Sequence, residues 1–400
     1  RYYYIKNLYM MTKLFIKNYN ELEQELINFR HDLHQNPELG FQETKTAKKI
    51  AKELKKLGIK VYENVGKTGV IGVLKKGNSS KSILLRADMD ALPIEENSQF
   101  SYSSRNKGIM HACGHDGHST MLLGGAKILA SQNEFDGTAY FLFQPNEENG
   151  LGAKEIINSD IFKKLSIDEA YSIHNLPGES LGNISSRVGN ICASETLFEI
   201  TIDGKGSHAS MPHKGVDTIY VGSEIVLSLQ SIVSRKLNPN SGAVFSVTEF
   251  VTNGSRNILP GKTTLKGDFR THNFLDRNLI EKLINQICNG IASSHNVKIG
   301  VNVRSEFVET VNSQEQCNAA IEIGNDLGLK TDSDREKLPF SEDFAHFTAI
   351  IPGCLILLGN GKDDSHGQPL HSSNYDFNDK NLIIGAKFWS SLVLKRLKKI

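Results

Sequence analysis

Cysteine is scarce, with five residues in 400: Cys113, Cys192, Cys288, Cys317 and Cys354. An odd, widely spaced set excludes a disulfide framework and predicts a reducing compartment, with the cytoplasm as the expected location. No apolar run approaches the ~18 residues of a membrane-spanning helix, so none is expected. Charge of one sign is missing too. The 46 basic and 45 acidic residues leave a formal net charge of +1, which gives no global field towards nucleic acid or a membrane surface. The opening stretch RYYYIKNLYMMTKLF is basic and aromatic but lacks a continuous apolar segment and a small-residue cleavage site, so it makes a poor signal peptide. Beginning with Arg1, the chain reads as a fragment end or as an upstream extension with Met10 or Met11 as the expected start. Internal repeats and low-complexity segments are absent. Recognition must therefore come from a local site.

The length of 400 residues exceeds what one hydrophobic core usually serves, which predicts two domains. In the first half, amphipathic helical patterns over 20–35 and 43–57 precede strand-like runs over 69–74, 82–87, 138–143 and 170–175. A further helix follows 111–118. Strands alternating with helices predict a largely parallel sheet, whose ligands sit at strand carboxyl ends. Asp88, Glu147, Glu148 and His174 all follow apolar strand runs. From about 193 the order becomes strand (196–203), helix (216–235), two strands (243–251 and 263–271), helix (276–294) and strand (298–307). That order predicts a ferredoxin-like βαββαβ unit inserted into the first domain. The expected fold is therefore α/β, with a catalytic domain over 12–192 and 308–400 and an inserted domain over 193–307. A strand over 354–360 and a helix over 380–398 complete the chain.

The densest chemistry lies in His111-Ala-Cys113-Gly-His115-Asp-Gly-His118. Imidazole and thiolate are the side chains that hold zinc and similar transition metals. Gly114 and Gly117 suit a tight turn that aims several donors at one point. A buried structural thiol would need none of these neighbours, so a metal centre is the preferred reading. The second signal is Glu147-Glu148 after the buried run YFLFQP. One of two adjacent carboxylates can bind metal while the other takes a proton from water. A solvated acidic turn is the ordinary reading of such a pair, but its place at a strand end argues against it. Taken singly, His174 and His371 are no more than polar loop residues. Asp88 and Asp90, in LRADMDALP, are candidate ligands or partners that orient a ligating histidine. His31 and His34 read as surface or packing residues. His111, His118 and His213 read as site neighbours, and His272, His295, His346 and His366 as surface. The other four cysteines read as small apolar core residues.

The motifs RHDLHQNPELGFQE, GKTGVIGVL, LRADMDALPI, MHACGHDGH, FQPNEE, SIHN, GKGSHASMPH, NILPG, SEDF and LHSSNY stand in this order. Together they resemble the aminoacylase/carboxypeptidase family of dinuclear metallohydrolases, in particular its hippurate hydrolase and auxin–amino acid conjugate hydrolase branch. The resemblance implies a catalytic domain of the di-zinc-peptidase type with two divalent ions among Cys113, His115, Glu148, His174 and His371. Cys113 matches the bridging position, Glu147 the general base and Asp88 an outer partner. It also implies that the insert is a lid that forms a homodimer or tetramer. His208 matches a residue contacting the scissile carbonyl oxygen, often in the partner subunit's site, and Asn257 and Arg270 match positions that bind the substrate carboxylate. Zinc or manganese is the expected metal, with cobalt and nickel as alternatives. The implied reaction cleaves an N-acyl amino acid, a small molecule, into a carboxylate and a free amino acid. A dipeptidase or aminopeptidase, a non-catalytic binding homologue and a cysteine hydrolase using Cys113 are the rival readings. Two departures stand out. Arg86 occupies a position where other branches have a ligating histidine, and Asn146 stands where the branch usually has alanine.

Overall fold

The structure, a computed structural model, describes residues 19–399, and the expected start at Met10 or Met11 lies outside them. The chain divides into two compact units. The first comprises residues up to Gly189 together with Val311–Glu336 and the segment from Asp343; the second comprises Asn190–Thr310 and Lys337–Glu342.

The first unit is built on an eight-stranded sheet. In chain order its elements are α1 (Tyr19–Gln35), α2 (Thr44–Lys56), β1 (Lys60–Val65), β2 (Gly69–Lys76), β3 (Ser82–Asp88), α3 (His115–Ala130), β4 (Gly137–Gln144), β5 (Glu169–Pro177) and β6 (Ile184–Ser185). After the second unit come α6 (Gln314–Asp326), β11 (Thr331–Asp332), β12 (Gly353–Gly361) and α7 (Lys380–Arg396). The strand order is β1-β2-β4-β3-β5-β12-β6-β11. The four central strands β4, β3, β5 and β12 run parallel. Their apolar runs are buried almost throughout, as a sheet covered on both faces requires. Towards the edges the direction changes, because β1–β2, β2–β4 and β6–β12 are antiparallel. Strand β1, KVYENV, was not anticipated from the sequence. Its charged residues are mostly exposed, as suits an edge that must resist pairing with another chain. Helices α3 and α7 pack closely on one face: a Cβ on Gly125 would lie 2.7 Å from that of Trp389.

The second unit contains β7 (Glu195–Asp203), α4 (Thr218–Ser231), β8 (Val244–Thr252), β9 (Lys262–Arg270), α5 (Phe274–His295) and β10 (Lys298–Phe307). Its four strands are antiparallel in the order β8-β9-β7-β10. Burial alternates along β7, with Phe198, Ile200 and Ile202 inward. Along α5 it falls on Ile280, Ile284, Cys288 and Ile291, one helical stripe packed on that sheet face. Asp217 caps α4 by accepting the N–H groups of Ile219 and Tyr220, and Asn273 caps α5 through Asp276. No described helix is long and apolar enough to cross a membrane.

Candidate metal centre

Strand register brings the distant motifs together. Asp88 on β3 stands opposite Gln144 on β4, and Arg86 opposite Ser172 on β5. The carboxyl ends of three parallel strands therefore deliver Asp88, the Glu147-Glu148 turn and His174 side by side. The motif of 111–118 enters α3 through Gly114, whose φ of 91° is left-handed. A Cβ at Gly114 would lie 2.4 Å from Asn175 Nδ2 and 2.5 Å from the Tyr375 hydroxyl, so both conformation and space require glycine.

Cys113 Sγ lies 3.5 Å from His174 Nε2. His115 Nε2 faces three carboxylates, at 3.8 Å from Asp88 Oδ2, 3.8 Å from Glu148 Oε1 and 4.0 Å from Glu147 Oε2. His371, in a left-handed turn at φ 65°, puts Nε2 at 3.3 Å from Glu148 Oε2. Donor atoms of Cys113, His115 and His174 form one mutually close group, and those of Cys113, Glu148 and His371 another. The thiol is common to both. His115 Nε2 and Glu148 Oε1 are buried without a hydrogen-bond partner. Burying such atoms unpaired is costly, and a cation held between them would meet both. The donor set of thiolate, imidazoles and carboxylate thus fits divalent transition metal.

A layer of neighbours orients these donors. Asp90 holds His115 Nδ1 at 3.2 Å through one oxygen and accepts the Glu148 N–H at 3.1 Å through the other. His174 Nδ1 donates to the Asn175 carbonyl at 2.7 Å, which leaves its Nε2 lone pair towards Cys113. His118 Nε2 accepts the Asn175 backbone N–H at 2.9 Å, so Nδ1 carries the proton donated to Asp88 at 2.7 Å. Asp88, His115 and His118 also stand within metal-binding distance of one another, but both His118 nitrogens are already engaged. Asn175 donates to the Cys113 carbonyl at 2.6 Å and accepts from Tyr375 at 2.7 Å. Arg86, fully buried, pairs with Asp88 at 2.8 Å and Asp343 at 2.7 Å and donates to Gln144 at 2.9 Å. Its charge is spent on these acids. Asp343 in turn offers its N–H to Glu147 Oε1 at 3.4 Å.

The electrostatics agree with a cation site. Burial opposes charge on His115, but Asp88, Asp90 and Glu148 outweigh it and push its pKa up to about 10. A metal ion would replace that proton in the same field of carboxylates. His174 is held well below its ordinary value by burial and by the neighbouring His118, so its imidazole is neutral, the form that ligates metal. Burial alone would raise Asp88, but His115, His118 and Arg86 keep it well below the carboxylate range.

The remaining candidates lie in the second unit. His208 and Asn257 are exposed and adjacent: a short antiparallel ladder pairs His208 with Ile258, and the Ala209 N–H donates to the Asn257 carbonyl at 3.0 Å. Arg270 is half-buried, contacts Glu195, pairs with Asp268 at 3.0 Å and donates to Ser341 at 3.3 Å. Sequence reasoning gave no role to Asn175 or Asp343 and left Asp90 and His118 undecided, although all four lie inside quoted motifs. His34, read as a surface or packing residue, is fully buried against Asp116 in the donor-rich motif. Arg30, one turn earlier, is fully buried as well and pairs with Asp116, Asp376 and Asp379. The Arg-x-x-x-His spacing in a helix was the available signal. The four other cysteines are buried as expected, whereas His272, His295 and His366 are only partly exposed and bond to Asn190, Glu224 and Asp376.

Comparison with known proteins agrees with this geometry. The chain is 42% identical over 380 residues to hippurate hydrolase of Campylobacter jejuni, covering 94% of this chain and 98% of that one. It is 34% identical over 378 residues to N-acetylcysteine deacetylase of Bacillus subtilis, covering 94% and 97%. A Bacillus subtilis structure described as a dinuclear metal binding peptidase from the M20 family superposes with a TM-score of 0.83 at 30% identity, over 95% of this chain and 99% of the other. The family model for peptidase family M20/M25/M40 matches residues 84–395. On these matches the chain, a hydrolase of amide bonds, belongs to peptidase family M20/M25/M40.

Proposed function

We propose that this protein is a metal-dependent amidohydrolase that cleaves N-acyl amino acids, of the N-benzoyl or N-acetyl kind, into a carboxylate and a free amino acid. The observation that carries the reading is His115 Nε2, buried and unbonded among Asp88, Glu147 and Glu148, beside the thiol–imidazole pair of Cys113 and His174. The names of the hippurate and N-acetylcysteine relatives support the substrate class. Two divalent ions, zinc or manganese with cobalt and nickel as alternatives, would be held by Cys113, His115, Glu148, His174 and His371, Cys113 being common to both donor groups. Bound there, they supply Lewis-acid polarisation of the amide carbonyl and lower the pKa of water. Glu147 takes the proton from the attacking water and returns it to the leaving amine. His208 donates to the developing oxyanion. Asp88 and Asp90 hold the histidines in place.

The second compact unit would serve as an inserted ferredoxin-like lid, its strand order β8-β9-β7-β10 being that of such a unit. It would also form the homodimer, so that His208 serves the site of a second copy. Asn257, beside His208, would bind the substrate carboxylate. Arg270 would do so by exchanging its contact with Glu195, since a guanidinium recognises carboxylates in bidentate fashion.

The Cys113–His174 contact also resembles the pair of a cysteine hydrolase. The neutral His174 argues against it, because an imidazole without a proton does not stabilise a thiolate. Hydrolysis of a panel of N-acyl amino acids, with metal analysis and chelation, tests both readings. Glu147→Gln should keep metal and fold and lose ~10²–10⁴ in turnover, the usual contribution of a positioned acid–base group. Turnover within a few-fold of wild type would sink the assignment. Chelator-resistant activity that alkylation abolishes would favour the cysteine reading.

A further inference from the structure

The turn that presents Glu147 and Glu148 begins at Asn146, whose φ of 49° lies in the left-handed region, unfavourable for most side chains other than glycine and asparagine. A residue from another segment holds it there. Glu43, which precedes α2 and is fully buried, accepts the Asn146 N–H at 2.9 Å through Oε1 and the Thr68 hydroxyl at 2.6 Å through Oε2. The Asn146 side chain accepts from Asn149 at 2.6 Å, and its carbonyl accepts the Gly152 N–H at 3.0 Å. Gly40 leaves the room for this arrangement, since a Cβ there would lie 1.8 Å from Asn146 Oδ1. A carboxyl is costly to bury, and burial pushes Glu43 up to about 7. Either protonation state still offers an oxygen to Asn146. The side-chain hydrogen bonds of Glu43 run to Thr68 and Asn146 rather than to a metal donor.

We propose that Glu43 is a positioning residue for Glu147: it fixes the left-handed start of the turn and thereby the placement of the base. The proposal rests on Glu147 being that base. A catalytic group must sit within about 0.5 Å of its productive position, and a misplacement of about 1 Å costs on the order of 10²-fold. With its N–H released, Asn146 can relax towards the right-handed region and carry Glu147 with it.

The test measures hydrolysis of N-benzoylglycine, metal content and thermal midpoint for the metal-loaded variants. Glu43→Ala should lower kcat by ~10–100-fold while KM and metal content stay within about twofold. Glu43→Gln, which keeps an acceptor for Asn146, should stay within about threefold of wild type. Thr68→Val removes only the anchor of Glu43 and should cost ~3–10-fold, which keeps the proposal testable if Glu43→Ala does not fold. In a Glu147→Gln background, Glu43→Ala should cost nothing further, because its effect runs through the base. A kcat within about threefold of wild type for Glu43→Ala, or for Thr68→Val if that variant alone folds, would overturn the proposal. So would loss of metal in step with activity, or an equal loss in the Glu147→Gln background. If Glu147→Gln is itself active, the assignment of the base fails first; if it is inert and Glu43→Ala is not, only the positioning role fails.

Discussion

His34 offers the cleanest test of the buried charge network behind the metal motif. Its Nδ1 lies 2.9 Å from Asp116 and its Nε2 3.4 Å from Glu96, so both ring nitrogens face carboxylates. Only the imidazolium can donate to both. Burial alone would lower its pKa, but the bond to Asp116, that residue's charge and the bond to Glu96 outweigh burial and push it up to about 9 from 6.5. A pKa raised in the folded state contributes stability that is fully present below the unfolded value and is lost as pH rises through the folded one. Here the window runs from 6.5 to about 9. The rise corresponds to stability on the order of 3 kcal/mol below about pH 6 and close to none at about pH 10. His34→Gln keeps one donor and cannot carry the charge. Urea denaturation of both proteins should give a gap in unfolding free energy ~2–3 kcal/mol wider at about pH 6 than at about pH 10. All other titrating groups are common to the two proteins, so the difference isolates His34. A gap that does not change with pH would refute the reasoning.

Cys113→Ser should lose metal and activity together, and divalent ions should restore activity to chelated wild type, as read by metal analysis beside turnover; chelated wild type that keeps its activity contradicts the metal reading. His208→Ala should lower turnover by ~10²–10³, the cost of one oxyanion donor. Mixing His208→Ala with Glu147→Gln subunits should then return activity towards half of wild type if His208 serves a second copy; no recovery despite demonstrated subunit exchange refutes the cross-subunit role. Gly114→Ala meets both a left-handed φ of 91° and a Cβ contact at 2.4 Å. It should lower the thermal midpoint and metal content together, and a variant with both intact would show that the turn adapts.

Much of the site was legible because its donors are concentrated in short motifs. Cys113 and His115 share one turn, and Glu147 and Glu148 are adjacent and follow an apolar run that reads as a strand. Residue type alone limits what such donors can hold, which is why chemistry and family could be read without coordinates. The alternation of strands and helices likewise identified the parallel centre of the sheet. The antiparallel direction of the outer strands β1 and β2 was hidden, because strand direction is set by pairing between segments rather than by local pattern.

Tertiary structure alone decided which residues orient the donors. His118 read only as a site neighbour until Asn175, 57 positions away, took its Nε2. Arg30 had no role in the sequence and His34 only a surface or packing one until the chain brought Asp116 and Asp376 against them, the latter from 346 positions beyond Arg30. Glu43 has no visible role until Asn146, 103 positions on, places its N–H on the carboxylate. A metal donor carries its chemistry in its own side chain, so it shows in the sequence. A residue that acts by holding another shows only once folding has closed the loop between them, because its energy depends on distance through space and not along the chain.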